Sequence, residues 1–266
     1  MKSKLFIFLC LTVCCLSAQN ETNELNIGIG NMKYKNNFIM PSGISGTYYD
    51  IDYWHKNRLK SNTDVVFGYF ADLSFVVIDT WRNISYSDYI VYNNGIDAGA
   101  FWLRHLSLKN KKINLYIGVG LFLDANVFFL SSRKYGFESR GFEIIHGKWF
   151  VSPNIYFSGD YSLGKFSFRF SFSMPIFSVG FQPNTLFYAT TYENVKHVLT
   201  PNTFCFFTER FYPKADVSVS YPLFSNNKTE SHIQLTYAHE QLVYNGFPYE
   251  RKMSNGLKLG MVWVVK

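Results

Sequence analysis

Asp50 and Asp52 stand two residues apart in Tyr48-Tyr-Asp-Ile-Asp-Tyr53. On a strand this spacing puts both carboxylates on one face, about 7 Å apart. Asp64 is expected to face the same space across the following hairpin. Three clustered carboxylates could hold a cation, or act as an acid/base pair for a surface protease. The simpler expectation is a polar network in which basic residues from other strands neutralise the acids. Asp160 and Arg169 fit that expectation, because they flank Ser162-Leu-Gly164 and become diagonal neighbours on one face if the hairpin is tight. Lys214, Asp216 and Lys258 are expected to join similar pairings, and nothing in the pattern calls for a metal or a cofactor.

The histidines offer less. His232 and Glu240 share a phase of one strand, but eight residues of strand separate them by about 27 Å, too far for a base and its orienting partner. A lipid-cleaving site would need His, Ser and an acid together at one rim, and Ser231 and His232 sit at the wrong end for that. His146 and His239 lack an evident partner.

The elements that must position these groups are strands. Phe166-Ser-Phe-Arg-Phe-Ser-Phe-Ser-Met174 alternates strictly, with Phe166, Phe168, Phe170, Phe172 and Met174 on one face and Ser167, Arg169, Ser171 and Ser173 on the other. The stretch from Ile113 alternates nearly as well, with Leu115, Ile117, Val119, Leu121 and Leu123 against Asn114, Tyr116, Gly118, Gly120 and Asp124. Similar patterns predict strands over 24–32, 44–55, 63–75, 96–106, 149–161, 213–221, about 232–240 and 257–265. The facing of strand 96–106 is undecided, because Ala98, Ala100 and Trp102 compete with Phe101 and Leu103 for the apolar side. Segments 76–95, 131–147, 177–212 and 244–254 read as loops.

The first eighteen residues have the form of an export signal. Lys2 and Lys4 form a basic start, Leu5 to Leu16 an apolar run too short to span a bilayer, and Ser17-Ala18 a small-residue cleavage site. Residues 19–266 are then one domain. Cys10, Cys14 and Cys15 leave with the signal, so Cys205 stands alone and no disulfide scaffold, cysteine zinc site or CxxC redox site can form. Leu11-Thr-Val-Cys14 loosely matches a lipoprotein box, with Val13 bulkier than such a box prefers. Loss of Lys2 and Lys4 takes the formal charge from +7 to +5, and the remaining basic residues are scattered, which argues against nucleic acid as a partner.

No later segment is apolar for eighteen residues, yet 47 % of the chain is hydrophobic and 19 % aromatic. An exported chain with these alternating strands fits a transmembrane antiparallel up-and-down β-barrel, apolar outside and polar within. The connections alternate short and long, as in barrels inserted from one side, and give about ten strands with both termini at the short-turn end. The 76–95 and 177–212 regions could each hide a further hairpin and make twelve. A soluble sandwich or lipocalin-like barrel alternates equally well and is the competing architecture.

On the signal, the alternation, the loop rhythm and the final Leu257-Lys-Leu-Gly-Met-Val-Trp-Val-Val265 strand, residues 19–266 resemble the small Gram-negative outer-membrane β-barrels common in Bacteroidota. The resemblance implies an outer-membrane location after export, with outer-membrane lipid, lipopolysaccharide and the barrel-assembly machinery as partners. In that group the last strand often ends on an aromatic, whereas here Val264-Val-Lys266 follows Trp263. The paired Asp-His motif of the omptin surface proteases does not follow in the later strands. A structural or surface-binding role through external loops is the leading expectation, with a narrow transporter of small solutes or lipid as the alternative and a barrel-embedded hydrolase behind both. Arg133, Lys134, Tyr135 and Arg140 mix cations with an aromatic and could grip a surface glycan or lipopolysaccharide phosphate, although an ordinary solvated loop is the simpler reading.

Overall fold

Period-two alternation gives each strand one face suited to an apolar environment and one that must satisfy polar groups internally, and closing the sheet on itself meets both demands. The computed structural model describes residues 21–36, 40–58, 65–82, 88–106, 112–132, 143–182, 201–246 and 249–265. They form β1 (Glu21–Asn36), β2 (Met40–Arg58), β3 (Val65–Arg82), β4 (Asp88–Leu106), β5 (Ile113–Ser132), β6 (Glu143–Leu163), β7 (Phe166–Pro175), β8 (Phe177–Phe181), β9 (Thr203–Phe206), β10 (Arg210–Phe211), β11 (Lys214–Ser225), β12 (Thr229–Tyr244) and β13 (Glu250–Val265). Among the described residues there is no helix.

Every pairing is antiparallel. β1 bonds to β2 and to β13, and β5 to β4 and to β6, so the sheet closes. The thirteen strands fill ten positions around the wall. β7 and β8 are one position, interrupted at Pro175, and both pair with β6. β9, β10 and β11 are another: β9 pairs with β8, β10 with β12, and β11 with β7 and β12. Pro175 and Pro213 have no N–H to give the ladder, which is why it breaks beside them. The ten-stranded up-and-down barrel expected from the sequence is the observed fold.

The strands are longer than alternation alone indicates. β3 and β4 extend through most of the 76–95 segment expected as loop, β5 and β6 enter 131–147, β13 begins within 244–254, and 177–212 contains β8, β9 and β10. Ladder hydrogen bonds join backbones and need no side-chain alternation, so a strand can run beyond its alternating stretch. The hairpin between β6 and β7 is tighter than expected: Leu163 pairs with Phe166 around Gly164-Lys165, with Gly164 at φ +62°. Asp160 and Arg169 are therefore directly opposite each other rather than diagonal.

The apolar faces look outward. Ile27, Val119 and Leu259 are 62 %, 55 % and 59 % exposed, and Phe166, Phe168, Phe170 and Phe172 line the outside of β7. β4, undecided from sequence, turns Trp102 outward and Phe101 and Leu103 inward. Those two join Phe70, Phe122 and Tyr156 in an aromatic cluster inside the barrel. Phe101 stacks on Tyr156 with centroids 5.0 Å apart, and Trp54 stacks on Phe70 at 4.5 Å. Phe101 finds room because its cross-strand neighbours on both sides are glycines, Gly68 and Gly120.

The panel β2–β1–β13–β12 shows the outer band most clearly. Three successive rows are apolar: Tyr53/Leu25/Met261/Ile233, Ile51/Ile27/Leu259/Leu235 and Tyr49/Ile29/Leu257/Tyr237. A row with polar groups closes each side, His55/Asn23/Trp263/Ser231 toward the short-turn end, with Trp263 its one aromatic, and Asn31/Asn255/His239 toward the opposite, loop end. In both rows an Asn carbonyl oxygen accepts from a Tyr hydroxyl and lies beside a His Nδ1. Asn23 meets Tyr53 at 2.7 Å and His55 at 2.8 Å, and Asn255 meets Tyr237 and His239 at 2.8 Å each.

Candidate functional site

The inward faces carry a succession of ion pairs reaching across the barrel. Nearest the turn end, Arg169 on β7 bonds Asp160 on β6 at 2.9 Å and also pairs with Glu24 on β1, four strand positions away around the ten-position wall. Further in, Lys258 on β13 binds Asp52 at 2.6 Å and Asp72 at 3.3 Å and pairs with Asp50 as well. Asn26 donates to the other oxygen of Asp52 at 2.6 Å.

The lysines and acids of the next layer converge on Tyr212. Lys214 on β11 bonds Asp97 on β4 at 2.5 Å and lies 3.5 Å from Glu240. Lys252 contacts Glu240 at 3.2 Å, and the Tyr212 hydroxyl donates to the same carboxylate at 3.3 Å. The Tyr212 ring has Lys214 Nζ at 4.9 Å, Arg210 Cζ at 5.0 Å and Lys252 Nζ at 6.0 Å from its centroid. Toward the loop end, Arg210 pairs with Asp124, receives further support from Ser178 Oγ at 3.2 Å, and lies over the Phe150 ring at 4.3 Å. Lys148 pairs with Glu250, and both are buried.

Desolvating these charges is costly, and the cost is offset only where each has a partner in good geometry. That requirement explains why so many of the interior charges are paired, although one carboxylate oxygen each of Asp50 and Asp97 has no hydrogen-bond partner among the described residues. Between the ion pairs remains a cavity of ≈ 90 Å³ beside Asp50, Asp72, Ser74 and Asn93. A hollow of ≈ 260 Å³ lies at the turn end, bordered by Lys56, Leu103, Tyr116, Asp160 and Arg169.

Oxygens of Asp50, Asp52 and Asp72 lie within 4.8 Å of one another, a separation a metal ion could bridge. The Lys258 ammonium sits among them and occupies the place a cation would take, one positive charge against three carboxylates. The same contact ties up the carboxylates that an acid/base reaction would require.

Of the residues singled out from sequence, Asp50, Asp52 and Lys258 come together, and Asp160 and Arg169 form a separate pair. Asp64 and the loop residues Arg133, Lys134, Tyr135 and Arg140 lie outside the described residues. His232 approaches Glu230 at 3.7 Å, while Glu240 serves Lys214 and Lys252. Asp72 was not singled out, although it lies in the phase of Gly68 on β3 and extending the alternation would have found it. Asp97 was hidden by the undecided facing of its strand. Arg210 has no signal, because it sits between two ladder breaks in a segment without alternation.

These features define a closed, charge-filled, ten-stranded antiparallel barrel with an apolar exterior. No family model matches the sequence, and no curated protein matches it. Among solved structures the fold is similar to the outer-membrane protease OmpT from Escherichia coli, at 10 % identity over 94 % of this chain and 98 % of that one, with a TM-score of 0.54. Others include the translocator domain of the autotransporter NalP from Neisseria meningitidis (7 % identity, 98 % and 94 % covered, TM-score 0.40) and Neisserial surface protein A (10 %, 90 % and 95 %, 0.32). The structural neighbours are outer-membrane β-barrels of Gram-negative bacteria, and at these identities the likeness is one of fold.

Proposed function

We propose that this chain is a Gram-negative outer-membrane protein, of the kind common in Bacteroidota, exported by residues 1–18 and inserted as a barrel with a sealed interior. Its role is structural or surface-binding, carried by the loop end. Its partners are the lipids of that membrane, lipopolysaccharide included, and the assembly machinery that would engage β13.

The observation that carries this reading is the set of ion pairs spanning the barrel at successive heights, Glu24–Arg169, Asp97–Lys214 and Lys148–Glu250, each linking strands four positions apart. Such bridges cross the space a solute would have to pass. They weigh against the narrow transporter, and the engagement of Asp50 and Asp52 by Lys258 weighs against a hydrolase centred there.

The test is reconstitution of residues 19–266 into lipid vesicles and planar bilayers. The expected result is a protein that migrates differently on SDS gels before and after boiling and conducts no ions. Steady channel conductance would overturn the sealed interior, and a soluble protein with no gel shift would overturn the membrane reading.

A further inference from the structure

The outer wall carries a basic patch whose place in the fold gives it a partner. Lys33 and Lys35 on β1 and Arg251 on β13 are all exposed on the outside of the barrel. Lys35 and Arg251 are direct cross-strand partners, and Lys33 is the diagonal neighbour of Arg251. Like charges directly opposite on a sheet face destabilise the pair. Nothing acidic relieves them: the outer faces of the adjoining strands present Ser45 and Thr47 on β2 and Gln241 and Val243 on β12. Glu240 and Glu250 point into the barrel. Among the described residues, none of the three cations makes an ion pair, and Arg251 contacts only the Tyr249 ring, at 5.3 Å from its centroid.

The patch also has a fixed height. Lys33 lies one inward–outward repeat beyond the polar Asn31/Asn255/His239 row, which itself caps the apolar rows ending at Ile29, Leu257 and Tyr237. Two residues of strand are about 7 Å. Lys33 is one such step past that row and Lys35 and Arg251 are two, about 14 Å along the strands, so the patch runs through the head-group zone of surrounding lipids if the apolar rows sit in hydrocarbon. At the short-turn end of the same panel the row one repeat beyond Asn23 holds Asn57, Glu21, Val265 and Thr229, none of them basic.

We infer that Lys33, Lys35 and Arg251 form a binding site on the outer wall for the phosphorylated head group of a glycolipid in the leaflet at the loop end. Its acyl chains lie against Ile29, Leu257 and the rows beneath. The anion supplies the negative charge that the Lys35–Arg251 pair lacks among the described residues. This inference rests on the membrane reading above.

The test compares diphosphoryl lipid A with inorganic phosphate as probes of the folded residue 19–266 chain in phosphatidylcholine vesicles. Wild-type protein is expected to retain lipid A through purification, and inorganic phosphate at matched concentration is expected not to displace it. Changing Lys33, Lys35 and Arg251 together to Gln should weaken retention on the order of a hundredfold, from the usual contribution of basic residues at an anionic surface. Lys165→Gln with Lys228→Gln, at the turn end, should leave it unchanged. Lys35→Glu gives Arg251 an opposite charge across the strands and should fold at least as well as wild type while losing the lipid.

Equal retention by the triple variant or by Lys35→Glu would overturn the site, as would equal loss in the turn-end control. Displacement by inorganic phosphate would overturn the lipid as its ligand. Absence of a gel shift for the wild-type protein in vesicles would instead show that the membrane reading had failed first.

Discussion

Asp50 and Lys258 meet directly over Gly28. Gly28 is the cross-strand partner of Asp50 on one side and of Lys258 on the other, so the two long side chains converge above a residue with no side chain. A Cβ at that position would overlap both the Asp50 carboxylate and the Lys258 stem. The glycine here is a matter of close approach, not of backbone conformation.

Gly28→Ala should therefore push the ion pair apart and cost about 1–3 kcal/mol, as overpacking of a filled interior usually does. The measurement is the temperature at which the unboiled SDS-gel band converts to the boiled position. An unchanged conversion temperature would mean that the pair can form without the glycine.

Lys258 is the shared cation of three acids, so its removal should be worse than its crowding. Lys258→Met leaves Asp50, Asp52 and Asp72 buried or half-buried without their cation, at a cost of about 3–5 kcal/mol. Adding Asp52→Asn and Asp72→Asn to that variant should recover much of the loss. Urea unfolding in vesicles of the wild type, Lys258→Met, the Asp52→Asn/Asp72→Asn variant and the triple variant checks this, and additive losses with no recovery would show that the charges do not act as one group.

Much of this arrangement was legible in the sequence. The exterior was, because Phe166 to Phe172 alternate strictly and Ile117 to Leu123 keep one face apolar throughout, with Phe122 the sole apolar residue on the other, and alternation reports directly which face meets which environment. The ion pairs were legible where a strong pattern fixed the phase, as at Asp50, Asp52, Asp160 and Arg169. They were not where a strand carried apolar groups on both faces. Phe101 and Leu103 face inward beside Asp97, so the β4 interior is mixed and its phase could not be read. The aromatic cluster around Phe101 was hidden for the same reason: it sits on the face expected to be polar, above glycines whose role depends on register between strands. Register is a property of pairs, and a single strand does not display it.

Cys205 allows the export signal to be counted. It is buried beside Phe150 and Tyr244, and it is the only cysteine beyond residue 15. Protein isolated from cells should therefore react slowly with a maleimide while folded and take up one label per chain once boiled. Four labels after boiling would mean that Cys10, Cys14 and Cys15 remain and that the first eighteen residues are not removed.

Leu259 separates a membrane wall from a solvated one. It lies in the middle of the three apolar rows, between Ile27 and Leu235, and is 59 % exposed. In water an exposed leucine can become arginine at a cost within about 0.5 kcal/mol. At the midplane of a bilayer the same change on a barrel's lipid face costs about 2–4 kcal/mol, because the guanidinium must be drawn into hydrocarbon or the lipid must deform around it. Leu259→Arg should therefore lower the unfolding midpoint in vesicles by an amount in the larger range. The same substitution at Lys35, beyond the polar row that closes the band, should change it little. If the two variants are equally benign, the apolar rows face water; if only the first is damaging, the band between the Asn23 and Asn31 rows is the part of the wall that lipid covers.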